Sequence, residues 1–181
     1  QVAQGAADSQ ERARALEATV QGCDRATRLV EQLLQLARLD AEPATGHAHS
    51  TPLADVIRSL VAECSATAQR RKQKVAITEP LPAALHIPLP EPLARVLLRN
   101  LLDNALRYSP DGAQVRLQVA QTQGFTELTA EDSGPGLAPE QQARLGERFF
   151  RVLGTGQTGS GLGWSIVQRI ARIHRLQIST D

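Results

Sequence analysis

The sequence predicts an α+β fold: a two-layer α/β sandwich in which helices cover one face of a mixed sheet, preceded by a long helical arm. Three observations predict it. Residues from about Ser9 to Leu39 carry an apolar seam at helical spacing over some thirty positions. Beyond it, amphipathic helical patterns near Ala54 to Gln69, Glu91 to Tyr108 and Gly161 to His174 are interleaved with short strand-like runs. Glycine clusters stand at the end of one such strand and at the start of the last helix, where a chain builds turns and ligand loops.

The arm places Leu16, Val20, Cys23, Thr27, Val30, Leu34 and Ala37 on one seam, widened by Leu29, Leu33 and Leu36. Such a helix exposes leucines when alone, so it is expected to pair with another chain or to pack in a non-native way; packing on its own domain is the plain alternative. The segment Ala41 to Thr51, with Pro43 and Gly46, reads as a hinge. The expected organisation is therefore an arm over residues 1–42, a linker over 43–51 and a compact domain over 52–181. Within the domain, strands are predicted at Val75 to Thr78, Leu85 to Ile87, Val115 to Val119 and Phe125 to Ala130.

Composition narrows the function classes. At 181 residues and 41% hydrophobic, the chain can bury one domain core beside the arm. The balance of 20 basic and 19 acidic residues offers no nucleic-acid surface, and the locally basic run Arg70 to Lys74 reads as a solvated helix end. Five aromatics (three Phe, one Trp, one Tyr) are too few for a base-stacking platform. Cys23 and Cys64 suit neither a disulfide scaffold nor a metal site and fit a reducing compartment. No apolar run approaches the ~20 residues of a membrane span.

Three segments carry chemistry. On the helix near 91–108, Asn100, Asp103, Asn104 and Arg107 share one side. An amide oxygen suits Mg²⁺, a hard cation held partly by a nucleotide's own phosphates, and a neighbouring Arg would meet those phosphates; the plain reading is a solvated helix face. Next, the strand Phe125 to Ala130 delivers Asp132 into the turn Ser133-Gly134-Pro135-Gly136. A partly buried carboxylate there can accept a hydrogen bond from an exocyclic amine, although an ordinary turn has the same composition. Last, Gly154 to Gly163 leads into a helix, and backbone N–H groups at such a start favour phosphate oxygens. No Lys-Ser/Thr pair follows these glycines, so the segment is not a Walker A loop.

In this order, the three segments resemble the N, G1 and G2 boxes of bacterial two-component sensor histidine kinases, whose ATP-binding domain (the Bergerat fold) belongs to the gyrase, Hsp90, histidine kinase and MutL superfamily. Glu147-Arg148-Phe149-Phe150-Arg151 resembles the F box, and Asp24 to Leu34 resembles the second dimerisation helix. The likeness covers nearly the whole chain and looks strongest to the QseC-like quorum-sensing subgroup. It implies that Asn104 ligates Mg²⁺ and that Arg107 and Tyr108 lie beside phosphates and sugar or base. Asp132 would read the adenine amine and Gly134 and Gly136 would shape the base pocket. Gly159, Ser160, Gly161, Leu162 and Gly163 would close over the phosphates of ATP, while Arg148, Phe149 and Phe150 would anchor a mobile lid over about 138–158.

Superfamily members that hydrolyse ATP carry a general-base Glu four residues before the Mg²⁺-binding Asn, and here Asn100 stands there. An amide cannot usefully deprotonate water, which favours transfer to a protein nucleophile unless Glu127, Glu131 or Asp103 sits close. The family's acceptor His, followed by Glu, is not found among His47, His49, His86 and His174. The chain is thus expected to start after the acceptor helix and to bind Mg·ATP without autophosphorylating. Arg175 replaces an expected Gly, Trp164 replaces an aliphatic residue, and the closing strand or strands are expected to be cut. The resemblance implies a homodimer, a response-regulator receiver domain as partner, and the cytoplasmic side of an inner-membrane sensor. Two other readings stay open: a dimerisation or nucleotide module with a degenerate pocket, and an anti-sigma-type serine kinase.

Overall fold

The computed structural model describes residues 9–41, 50–82, 85–122, 124–152 and 159–180. A helix α1 (Ser9–Ala41) leads to a short strand β1 (Thr51–Pro52), helix α2 (Leu53–Arg70), strands β2 (Lys74–Ile77) and β3 (His86–Ile87), and helix α3 (Glu91–Tyr108). A hairpin follows, β4 (Gln114–Thr122) and β5 (Phe125–Glu131), then a single turn α4 (Pro139–Gln142) and helix α5 (Gly163–His174).

The main sheet is mixed, in the order β2-β4-β5: β2 runs parallel to β4, with Val75 opposite Val115, and β4 pairs antiparallel with β5, with Leu117 opposite Ala130. Alternation sends Val115 and Leu117 into the core, with Val75, Ile77, Val119, Leu128 and Ala130 packed against it. The other face keeps charge in water, as in the Arg116–Glu131 pair at 3.6 Å. Against the apolar face lie α2, which buries Leu53, Val56, Ile57, Leu60, Cys64 and Ala68, and α3, which buries Ala94, Leu97, Leu98, Leu102, Ala105 and Leu106. Helix α5 adds Ile166, Val167 and Ile170. Outside the core, Glu63 of α2 receives Arg99 of α3 at 2.6 Å and also Arg95.

The chain folds this way for local reasons. Pro90 and Pro92 start α3, where a missing N–H costs nothing, and Ser109-Pro110 ends it. Helices α2 and α5 both end in a residue in the left-handed region, Lys72 (φ 55°) and Arg175 (φ 56°). In each case the following N–H reaches back five residues, Gln73 to the Ala68 carbonyl and Leu176 to the Ala171 carbonyl. Arg175 therefore occupies the αL position that glycine fills most cheaply, which explains why a glycine is expected there. Residues 175–180 form no strand.

The arm differs in detail from its sequence expectation. Its seam residues Leu16, Val20, Val30 and Leu34 are more than half exposed, whereas Leu36 and Leu39 are 2% exposed and belong to the domain core, with Leu29 packed against it. The last turns of α1 thus share the domain's core through one apolar face, while a second apolar face stays open. Most of the hinge, residues 42–49, lies outside the described residues and so do His47 and His49.

Candidate functional site

Two glycine segments meet α3 at three heights, and at each a side chain on the glycine would press on a residue of the helix. In the middle of the helix, a Cβ on Gly163 would lie 2.9 Å from Asn100 Oδ1 and 3.6 Å from Asn104 Oδ1. One turn on, the Arg107 guanidinium covers Gly159, where a Cβ would come 2.6 Å from Nη1. At the helix end, a Cβ on Gly134 would sit 2.8 Å from the Tyr108 carbonyl oxygen. The candidate residues of the first segment thereby face both glycine segments at once.

Asp132 follows β5, and its Oδ1 accepts the Gly134 N–H at 2.7 Å, which tightens the turn. The carboxylate is exposed rather than partly buried as expected. Gly136 adopts φ +69° with nothing near a Cβ, so only backbone conformation requires glycine there.

The loop before α5 is fixed from two sides. Gly161, at φ +72°, would put a Cβ 2.6 Å from the Phe149 carbonyl carbon, and the Phe149 N–H donates to the Gly161 carbonyl at 3.1 Å. Phe149 itself has φ 67° and a side chain 58% exposed; Phe150 lies beneath the Arg144 guanidinium at 4.3 Å, and Arg148 precedes both in the same turn. Gln168 of α5 donates to the Leu145 carbonyl at 3.0 Å, tying the segment after α4 to the helix. Residues 153–158, the rest of the expected lid, lie outside the described residues.

Leu162 is fully buried, so any ligand contact it makes is through its backbone. Helix α5 starts at Gly163 without a side-chain cap, which leaves its first N–H groups for an anion. Trp164 is half-buried in that first turn. Ser160 accepts the Leu162 N–H at 3.2 Å and donates its hydroxyl to Gln32 Oε1 of the arm at 2.6 Å. Arg169 of α5 donates to the Leu39 carbonyl at 3.1 Å.

Two of the candidate carboxylates have arginine partners. Burial pushes the Asp103 carboxyl up, opposed by Arg99, Arg107 and Arg28, and the side chain lies 3.9 Å from Arg99. Glu131 is engaged by Arg116 and by Gln118 at 3.3 Å. Asn100 donates its amide to the Val96 carbonyl at 2.8 Å. Among the described residues, no three His, Cys, Asp or Glu side chains cluster as for a metal held by protein alone.

Two participants escape a reading of the sequence. Gln32 reaches Ser160 across 128 positions, and no local pattern announces it. The run 70–74 is not merely a solvated helix end: Arg71 donates to the carbonyls of Leu106 at 2.8 Å and Ser109 at 3.0 Å. The one trace in the sequence is Gln73, a neutral residue set among the four basic residues Arg70, Arg71, Lys72 and Lys74.

Residues 90–181, just over half the chain, match the family of histidine kinase-, DNA gyrase B- and HSP90-like ATPases. The chain is 44% identical over 171 residues to "Sensor protein QseC" of Escherichia coli strain K12, covering 94% of this chain and 37% of that protein. It therefore spans little more than a third of that relative's length. A solved structure of the cytoplasmic segment of histidine kinase QseC aligns with TM-score 0.51 at 33% identity, over 86% of this chain and 79% of that one. The full-length ShkA structure in complex with AMPPNP aligns with TM-score 0.71 at 24% identity over 95% of this chain and 36% of that one, a likeness of fold.

Proposed function

Because the chain belongs to the histidine kinase-, DNA gyrase B- and HSP90-like ATPase family, we propose that it is the ATP-binding catalytic region of a QseC-type sensor histidine kinase together with its second dimerisation helix. The observation that carries this reading is the triple convergence on α3: Gly163 on Asn100 and Asn104, Gly159 on Arg107, and Gly134 on Tyr108. One helix is thereby adjacent to both a phosphate-type and a base-type turn.

The roles follow from chemistry. Asp132 accepts a hydrogen bond from the adenine amine through the oxygen that Gly134 leaves free. Gly134 and Gly136 admit a flat ring, while the uncapped start of α5 and Arg107 take the phosphates. Mg²⁺ fits the donor set: one amide oxygen, on Asn104, faces the anion end of α5, and a nucleotide supplies the remaining oxygen ligands. When bound, Mg²⁺ neutralises charge that develops on the transferring phosphoryl group. Asn100 cannot act as a base toward water, and Asp103 and Glu131 are directed to arginines, which favours transfer over hydrolysis.

The acceptor is a His on another helix of the dimerisation region, followed by an aspartate on a response-regulator receiver domain. The open apolar face of α1 suits a homodimer, and the region would lie on the cytoplasmic side of an inner-membrane sensor. The comparisons do not favour a degenerate module or an anti-sigma-type serine kinase.

Calorimetry with Mg·ADP and a non-hydrolysable ATP analogue tests the reading. The parent chain should bind, and Asp132→Asn and Asn104→Ala should each lose most of that affinity. No binding by the folded parent would overturn the proposal. Given Mg·ATP and a separate acceptor helix, label should appear on that helix and not on this chain.

A further inference from the structure

Helix α3 presents Asn104, Arg107 and Tyr108 in its last two turns, and the final four carbonyls of a helix find no donor in its own backbone, so this end frays most readily. Here that end is gathered by two side chains from the turn between α2 and β2. Arg71 donates to Leu106 O at 2.8 Å, Arg107 O at 3.3 Å and Ser109 O at 3.0 Å, while its Nε is paired with Asp111 at 2.8 Å. Gln73, only 3% exposed, directs one amide nitrogen to Leu106 O at 2.9 Å, Ser109 O at 3.0 Å and Pro110 O at 3.1 Å. The left-handed Lys72 between them closes the turn, and Arg71 O in addition accepts the Gly112 N–H at 2.9 Å. The Tyr108 carbonyl faces Gly134 instead.

We propose that Arg71 and Gln73 are positioning residues for nucleotide recognition: they fix the end of α3 and, through the Tyr108–Gly134 contact, the place of Asp132. The inference rests on the nucleotide reading above and adds residues that touch no ligand. A cation at a helix C-terminus also complements its dipole, so one guanidinium both orders the carbonyls and balances their partial charge. The clamp holds one of the two walls, the end of α3, which meets the other at the Tyr108–Gly134 contact, and it does so from outside the pocket.

The test uses Arg71→Met, which keeps the aliphatic stem, and Arg71→Lys, which keeps the charge without the fork. The Kd for Mg·ADP and the ratio of ADP to GDP affinity are measured beside thermal unfolding without nucleotide. Leu60→Ala, in the core of α2, is a control that loses stability at a distance from the site. Losing charge-assisted bonds at the helix end should raise the ADP Kd roughly tenfold and compress the ADP-to-GDP ratio in Arg71→Met. Arg71→Lys should recover part of both, and Leu60→Ala should change neither. Faster amide exchange at Ser109 and Gly134 in Arg71→Met is the matching signature without ligand. If Arg71→Met binds ADP as the parent does, or if Leu60→Ala shifts the ratio equally, the positioning role is overturned. Failure of the parent to bind would remove the nucleotide reading, and the positioning role with it.

Discussion

Gly161 to Ala separates two kinds of cost that usually arrive together. At φ +72° an alanine is strained by about 1–2 kcal/mol, of which about 0.4–1 kcal/mol is returned because alanine restricts the unfolded chain. The new methyl would also stand 2.6 Å from the Phe149 carbonyl carbon and 2.8 Å from the Phe150 oxygen, both backbone atoms that cannot rotate away. Forced repacking of this kind costs about 1–3 kcal/mol, so the total should fall at roughly 1–5 kcal/mol. Gly136→Ala isolates the conformational part, since its φ is +69° and its Cβ would meet nothing within 4 Å; it should cost about 1 kcal/mol. Urea unfolding of the two variants, with the m-value monitored for a change in the folded state, measures the difference directly. Equal losses would refute the claim that the Phe149–Gly161 backbone contact holds the phosphate loop. The same pair, titrated with Mg·ADP, should show the larger affinity loss in Gly161→Ala.

Other consequences are as open to measurement. Arg175→Gly relieves a left-handed residue at the end of α5 and should stabilise the domain by about 0.5–1 kcal/mol in thermal unfolding. Burial pushes the Cys64 thiol up while Cys23 is exposed, so maleimide should label Cys23 alone in the folded chain at neutral pH, with Cys64 reacting only after denaturation. Asp103 is raised by burial, so its charged form is disfavoured by folding above the folded pKa, and that penalty disappears below the ordinary carboxylate range where both states are protonated. Asp103→Asn should therefore raise the melting temperature slightly at pH 7 and not at about pH 3.5, and the reverse order would contradict the assignment.

Much of this was visible in the residues because the signals that announce helices, turns and glycine loops are local in sequence. The bounds of α3 could be read from its prolines and apolar spacing, and Gly134 and Gly163 stood out within glycine clusters, although what requires them is the lack of room for a Cβ rather than a positive φ. Arg175 was identifiable as a substitution against a glycine rule, and its φ of 56° gives the reason. What could not be read depends on how separate elements come together. The arm carries two apolar faces, and nothing local says that Leu36 and Leu39 enter the core while Val30 and Leu34 stay outside. The exposure of Asp132 depends on what covers the sheet edge. Arg71 looked like surface charge because its partners are carbonyls some 35 positions away, and carbonyls leave no trace in a sequence.

The docking of α1 also has a mechanical side. At 1.5 Å per residue its 33 residues make a rod about 50 Å long, seated in the core by Leu36 and Leu39 with Leu29 packed against it. Gln32, which holds Ser160, lies about 10 Å along the axis from Leu39, whereas Leu16 lies about 35 Å from it. The Gln32–Ser160 bond therefore falls inside the docked span from Leu29 to Leu39, and the stretch from Ser9 to Arg28, about 30 Å long, projects beyond it, so that a tilt imposed near Leu16 would act on that bond through a long arm.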